Sequence, residues 1–113
     1  NITSYQNDLI QILMNILSNA HDALRKIESN RKIEIISSCI NNTMVICIKD
    51  NAGGIKLENI EQVFEKYFTT KGIKEGSGVG LFMSQKIAHE RLNGQIKVYN
   101  ENEGACFEIC IPC

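Results

Sequence analysis

The first part of the chain carries apolar residues at every third or fourth position, which is the period of an α-helix. This pattern predicts a helix over residues 5–27, and residues 3–6 fit a capping box at its start. The apolar positions are Leu9, Leu13, Ile16, Leu17, Ala20, Leu24 and Ile27. One face of the predicted helix therefore packs against a core.

Two runs of β-favouring residues follow, at 32–36 and 43–48. The Asn41-Asn42 pair between them is typical of a tight hairpin turn. The second half of the chain repeats the order of helix and hairpin. It is predicted to contain a loop at Gly53-Gly54, a short helix at 57–64, a glycine-spaced loop at 72–80, a helix at 79–92 that stops at Asn93-Gly94, and strands at 95–100 and 105–111.

Strands that arrive in hairpin pairs predict an α+β fold. We expect a two-layer α/β sandwich in which a mixed, mostly antiparallel sheet carries three helices on one face. A length of 113 residues predicts one compact domain.

Composition narrows the classes of ligand. Lys and Arg number 12 against 13 Asp and Glu, so the formal net charge is -1. This balance disfavours a basic nucleic-acid binder and a polybasic membrane-surface protein, and no apolar run reaches membrane-spanning length. A strongly charged ligand would have to be bound locally.

The cysteines predict a reduced protein. Their number is odd, no CxxC motif occurs, and no histidine lies at zinc-ligand spacing from them. Most of the five fall in predicted strands, where a reduced thiol acts as a small apolar side chain. They are Cys39, Cys47, Cys106, Cys110 and Cys113. We expect core-filling cysteines and a reducing, cytoplasmic setting.

The first helix also carries a polar stripe. Asn15, Asn19 and Asp22 lie on one side of it. Asparagine is a poor helix former, and its side-chain oxygen is a ligand for Mg²⁺ that adds no negative charge. The stripe is either a metal-binding face or an ordinary solvated one.

Two glycine-rich segments have two interpretations each. Asp50 leaves a strand into Gly53-Gly54, where it either forms a turn or accepts a hydrogen bond from a ligand amine. Gly76, Gly78 and Gly80 run into a helix, where they either cradle an anion or only make the loop flexible.

Taken together, these segments resemble the ATP-binding domains of sensor histidine kinases. Those domains belong to the wider family of gyrase, heat-shock chaperone, histidine kinase and mismatch-repair ATPases, which share the Bergerat-type fold. The matching segments are the N box at 15–20, the first glycine box at 50–55, the F box at 64–71 and the second glycine box at 76–81. The resemblance covers residues 1–113 and implies ATP and Mg²⁺ as cofactors.

The resemblance implies a role for each matching residue. Asn19 would ligate Mg²⁺ with Asn15 in support, both at the catalytic centre, and Asp50 would accept the amine of adenine. The other nucleotide contacts implied are Asp22, Gly54, Ile55, Phe68, Lys71, Gly76, Gly78, Val79, Gly80 and Leu81. Residues 56–76 would form a mobile lid over the nucleotide, anchored by Phe64 and Phe68.

Asn15 stands where the hydrolysing members of the family carry a glutamate. An amide cannot act as a general base, so the resemblance implies phosphoryl transfer to a histidine on a separate helical dimerisation domain. That domain is not in this sequence, so this chain alone should bind ATP without autophosphorylation. A response regulator would act downstream, and the parent protein would be cytoplasmic or membrane-anchored.

Two other functions remain open on the sequence. One is a serine protein kinase of the anti-sigma-factor type, and the other is a module that has lost catalysis. His89-Glu90 superficially matches a phosphoacceptor motif, but it lies at the end of a predicted helix that leaves no room for a helical hairpin. Ala52 and Ala105 replace a glycine and a threonine common in the family, which bears on affinity.

Overall fold

The computed structural model describes residues 2–25, 27–28, 30–55, 60–65, 80–101 and 104–112. Helix α1 spans Ile2–Leu24 and is followed by strands β1, Ile33–Ile40, and β2, Thr43–Asp50. A 3₁₀ helix at Ile60–Phe64 precedes helix α2, Gly80–Arg91. The described chain ends with β3, Gln95–Glu101, and β4, Gly104–Pro112.

The four described strands form one sheet in the order β1-β2-β4-β3, and each neighbouring pair is antiparallel. The expected α+β fold is confirmed. Among the described residues the helical layer consists of two α-helices and the 3₁₀ helix, and the sheet has no parallel pair.

The core lies between the helices and one face of the sheet. Ile12 and Ile16 of α1 are fully buried, as are Ile109 and Ile111 of β4. Ile12 is absent from the predicted apolar stripe, whereas the predicted Leu9, Leu13 and Leu17 are only partly buried. The apolar face of α1 is thus rotated slightly from the one that the sequence spacing suggests.

The ends of the helices differ from the predictions. Helix α1 begins at Ile2, so Thr3 lies inside it and the predicted capping box is wrong, because an N-cap residue must be non-helical. After α2 the residue with positive φ is Asn93, at 54°. Gly94 is needed for another reason, since a Cβ there would overlap the carbonyl oxygen of Cys110.

The predicted Asn41-Asn42 turn is confirmed. Both residues have positive φ, 51° and 61°, as a two-residue hairpin turn requires. Strand β1 runs four residues beyond its predicted end because it pairs with β2 as far as Ile40 opposite Thr43. All eight residues of this edge strand are exposed.

The cysteines do not all fill the core. Cys106 is buried, Cys47 and Cys110 are half-buried, and Cys39 is exposed, so the core-filling prediction is wrong for Cys39. None of these four cysteines forms a disulfide, and no group of three or more His, Cys, Asp or Glu among the described residues could hold a metal.

Glu108 forms hydrogen bonds with three neighbouring side chains on the sheet face away from the helices. It accepts hydrogen bonds from Tyr99 Oη at 3.4 Å, Cys47 Sγ at 3.9 Å and Cys110 Sγ at 3.5 Å. Burial, together with Cys106 and Glu108, raises the pKa of Cys47 to about 11. Burial and Glu108 likewise raise the pKa of Cys110.

The described helices include none that is both long and apolar enough to cross a membrane.

Candidate functional site

The amide of Asn15 joins the two α-helices. Its Nδ2 donates to Ser84 Oγ at 2.9 Å and to the carbonyl oxygen of Gly80 at 3.2 Å. Its Oδ1 accepts a longer hydrogen bond of 3.4 Å from Gln11 Nε2. Asn15 therefore fixes the first turn of α2, where the second glycine box ends.

Ser84 is a site residue that the sequence analysis missed. It is fully buried and is the polar residue in the core of the described chain. Its hydroxyl meets Asn15 across a sequence separation of 69 residues. Ser84 could have been predicted from its spacing, because Ser84 and Ala88 are two small residues at i and i+4 on one face of α2. Small residues there let α1 approach α2 closely.

Asn19 lies one turn after Asn15 on the same side of α1 and is half-buried. Among the described residues its side chain forms no hydrogen bond, which leaves the amide oxygen available to a ligand. Asp22 lies near two basic groups, with Arg25 Nη1 at 4.0 Å and His21 Nδ1 at 3.8 Å from its Oδ1. The residues of the polar stripe therefore differ: the Asn19 amide oxygen is available to a ligand, whereas the charge of Asp22 is partly neutralised by its basic neighbours.

Asp50 ends β2 with one carboxylate oxygen held by the backbone. Its Oδ1 accepts hydrogen bonds from the N–H of Ala52 at 3.0 Å and of Ala105 at 3.3 Å. The bond from the Ala52 N–H forms a turn, which is one of the two interpretations of Asp50 that the sequence left open. Within the described chain no group donates to Oδ2, so the same carboxylate forms the turn and keeps an acceptor free.

Gly104 permits this arrangement. A Cβ on Gly104 would overlap the carbonyl group of Asp50 and lie 3.0 Å from the Cα of Asn51. These are backbone atoms, which cannot rotate away. The start of β4 can therefore donate to the Asp50 carboxylate only when residue 104 is glycine.

The loop after Asp50 bends at two glycines. Gly53 and Gly54 have φ of 97° and 81°, a region that other residues rarely adopt. The loop ends at Ile55, whose backbone N–H and C=O bond to the side chain of Asn100 at 2.7 and 2.9 Å. Asn100 was not among the site residues predicted from the sequence.

Several predicted contacts lie outside the described residues. They are Phe68, Lys71, Gly76, Gly78 and Val79. Of the predicted lid, residues 60–65 are described, and there Phe64 is buried and packs edge-on against Phe107 at 6.2 Å between ring centroids. Gly80 and Leu81 form the start of α2.

The site residues fall into two described groups. Asn15 and Gly80 meet where α1 crosses the start of α2, and Asp50, Gly54 and Ile55 share one loop at the end of β2. Amide oxygens and glycine amides in the first group suit a metal and phosphates. A free carboxylate oxygen in the second suits a hydrogen-bond donor such as an amine.

A cleft of about 670 Å³ opens at this end of the sheet, and Asp50 and Ala105 are part of its lining. Its lining includes Lys49, Glu34 and Cys106, which alternate with core-facing positions and so lie on the face away from the helices. Lys49 is paired with Glu101 at 3.1 Å. Two lysines and three carboxylates line the cleft, so it has no excess of positive charge with which to hold a polyanion.

Known proteins resemble the chain over nearly its full length. Two-component sensor PprA of Pseudomonas aeruginosa is 33% identical over 110 residues, covering 94% of this chain and 12% of that protein. Sensor protein CitS of Halalkalibacterium halodurans is 38% identical over 112 residues, covering 95% of this chain and 20% of that protein. The chain thus spans one fifth or less of these relatives.

A solved structure has the same fold. The nucleotide-free catalytic domain of histidine kinase ThkA superposes with a TM-score of 0.78 at 29% identity, covering 94% of this chain and 66% of that one. The sequence model of the family described as "Histidine kinase-, DNA gyrase B-, and HSP90-like ATPase" matches residues 4–113. The chain belongs to this ATPase family, and its relatives include a two-component sensor, PprA, a sensor protein, CitS, and a histidine kinase, ThkA.

Proposed function

We propose that residues 1–113 form the Mg-ATP-binding catalytic domain of a sensor histidine kinase. In this proposal the domain presents the γ-phosphate of ATP to a histidine on a helical dimerisation domain elsewhere in the parent protein. A response regulator then receives the phosphoryl group, and the domain works in the cytoplasm. The two-component sensor and the histidine kinase among its relatives favour this function over a serine protein kinase.

The observation that carries the proposal is the anchored carboxylate of Asp50. Two backbone N–H groups hold Oδ1, so the carboxylate cannot rotate freely and Oδ2 has a defined direction. An ionised carboxylate accepts hydrogen bonds and donates none. It therefore pairs with the exocyclic amine of adenine and rejects the carbonyl that guanine carries at the same position.

Asn19 and Asn15 fit the metal end of the site. The Asn19 amide has no described partner, and Asn15 Oδ1 is engaged only by the long bond from Gln11. Their oxygens would hold Mg²⁺, which neutralises charge on the phosphates. Lys71 and the amides of Gly76, Gly78, Val79, Gly80 and Leu81 would contact the same phosphates, Phe68 would anchor the lid, and Asp22 would lie at the edge of the site.

The Asn15 side chain also explains why the proposed reaction is phosphoryl transfer and not ATP hydrolysis. Its Nδ2 is committed to Gly80 and Ser84, and an amide nitrogen has no basic lone pair with which to activate water. The chain's own residues then bind, orient and shield ATP, which is the contribution that phosphoryl transfer requires of the protein. Alone, the chain should bind ATP and turn it over negligibly.

Calorimetric titration of the 113-residue chain with ADP tests the proposal. Asp50→Asn should weaken binding about 10- to 100-fold, because its amide presents a donor to the adenine amine. Asn19→Ala should weaken binding only when Mg²⁺ is present and match the wild type in EDTA. Gln95→Ala is the control. It removes an exposed side-chain amide at the end of β3 that lies away from the Asp50 loop.

The outcomes separate the alternatives. No ADP binding by the wild-type chain at millimolar concentration would overturn the proposal and favour a module that has lost its nucleotide. Equal affinity of the Asp50→Asn variant and the wild type would show that the base does not lie against this carboxylate. Brisk ATP hydrolysis by the chain alone would refute the assignment to phosphoryl transfer.

A further inference from the structure

Asn100 makes a two-point contact with the loop that follows Asp50. Its Oδ1 accepts the N–H of Ile55 at 2.7 Å, and its Nδ2 donates to the carbonyl oxygen of Ile55 at 2.9 Å. Both backbone groups of one residue are thereby satisfied by one side chain, as a neighbouring strand would satisfy them. Such a contact fixes the orientation of Ile55 as well as its position.

Gly54 leaves the space that this contact needs. A Cβ on Gly54 would lie 2.9 Å from Asn100 Oδ1 and 3.1 Å from its Cγ, closer than packed carbon and oxygen atoms normally approach. The absence of a side chain at residue 54 thus lets Asn100 reach the backbone of Ile55. The positive φ of Gly54, 81°, turns that backbone toward β3.

The contact lies level with the carboxylate anchor. Asn100 is the register partner of Ala105, and the N–H of Ala105 donates to Asp50 Oδ1. The loop from Asp50 to Ile55 is therefore fixed at its first residue by β4 and at its last residue by Asn100 on β3. Between these two anchors lie the two glycines, which would otherwise leave the loop free to move.

We propose that Asn100 is a positioning residue for recognition of the adenine base. Through its two bonds to Ile55 it holds the loop in the conformation in which the Asp50 carboxylate and the Gly54 backbone face the base together. This role rests on the proposed function, because it assigns a further residue to that nucleotide site. Asn100 itself touches the loop and not the ligand.

The contact to Ile55 can be measured without nucleotide. Amide hydrogen exchange should show the Ile55 N–H protected in the wild type and exchanging faster in Asn100→Ala. Asn100→Asp keeps the acceptor for this N–H, so it should retain the protection while losing the bond to the carbonyl oxygen. An Ile55 amide that exchanges at the same rate in Asn100→Ala and the wild type would overturn the contact.

Base recognition is measured with two ligands, ADP and purine riboside 5′-diphosphate, which lacks the 6-amino group. Asn100→Ala should weaken ADP about tenfold, the size expected from two ordinary hydrogen bonds that hold a loop. It should weaken the amine-free analogue much less, because that ligand offers Asp50 no donor. Gln95→Ala on the same strand should leave both affinities unchanged.

A purely structural role would lower the two affinities by the same factor, and that result would refute the inference while leaving the proposed function standing. A wild-type chain that binds neither ligand would instead refute the proposed function. Urea unfolding of each variant, with a midpoint close to that of the wild type, establishes that the affinities are those of folded protein.

Discussion

Replacing Gly104 with alanine tests whether close packing of β4 on β2 holds the Asp50 carboxylate. The added Cβ would overlap the Asp50 carbonyl group and crowd the Cα of Asn51 at 3.0 Å. Since all of these are backbone atoms, the clash can be relieved only by moving one strand away from the other.

The cost has two parts. Overpacking that shifts backbone costs about 1–3 kcal/mol, and loss of the Ala105 N–H bond to the carboxylate costs about 1 kcal/mol more. The free energy of unfolding should therefore fall by roughly 2–4 kcal/mol. With a urea dependence of about 1.5 kcal/mol per molar, the midpoint should fall by roughly 1–3 M.

Gly80→Ala is the matched control for stability. Its Cβ would lie 4.0 Å from Asn15 Cγ, which is ordinary contact, and alanine is the better helix former. Urea unfolding followed by circular dichroism should give this variant a midpoint equal to or above that of the wild type. A Gly104→Ala midpoint equal to that of the wild type would refute the packing argument.

The packing of α1, α2 and β4 gives further expected outcomes. Gly94→Ala should lower the Tm by about 5 °C or more, because its Cβ would overlap a β4 carbonyl; an unchanged Tm would contradict this. Ser84→Val should cost about 1–3 kcal/mol by removing a partner of the Asn15 amide, and combining it with Asn15→Leu should cost less than the sum in urea unfolding, whereas strict additivity would contradict the pair. At pH 8 Cys47, with its pKa of about 11, should be alkylated about 100-fold more slowly than a free cysteine, and mass spectrometry should find the exposed Cys39 modified first.

The raised pKa of Cys47 also sets the sign of a pH effect on stability. The folded thiol keeps its proton up to a pKa of about 11, whereas an unperturbed cysteine thiol has a pKa of 9.0. Its contribution is therefore fully present below pH 9 and is lost as the pH rises through 11. Cys47→Ala should flatten the loss of stability in this window, measured as urea midpoints at successive pH values.

Local chemistry made part of the fold predictable. The Asn41-Asn42 turn follows from the tolerance of asparagine for positive φ, and the Asn93-Gly94 pair marks the end of α2, although Asn93 and not the glycine has the positive φ. The turn at Asp50, one of two interpretations of a carboxylate that leads into paired glycines, is present as the bond from the Ala52 N–H. In each case a short stretch of sequence contains the whole physical reason.

The parts that were missed depend on distant residues. Asn100 reaches Ile55 across a separation of 45 residues, and Ser84 meets Asn15 across 69; no spacing rule joins such positions. Strand β1 extends past its predicted end because β2 supplies its hydrogen bonds, although two serines interrupt its apolar run. Tertiary pairing decided these features against local propensity.

Titration of isotopically labelled chain with ADP, followed by amide NMR signals with and without Mg²⁺, tests the central claim most directly. We expect the signals of Ala52, Gly54 and Ile55 to shift under both conditions, and the side-chain amide of Asn19 to shift only with Mg²⁺. Signals that stay in place at millimolar ADP, or shifts confined to the sheet face around Glu108, would contradict a nucleotide site between the Asp50 loop and α1.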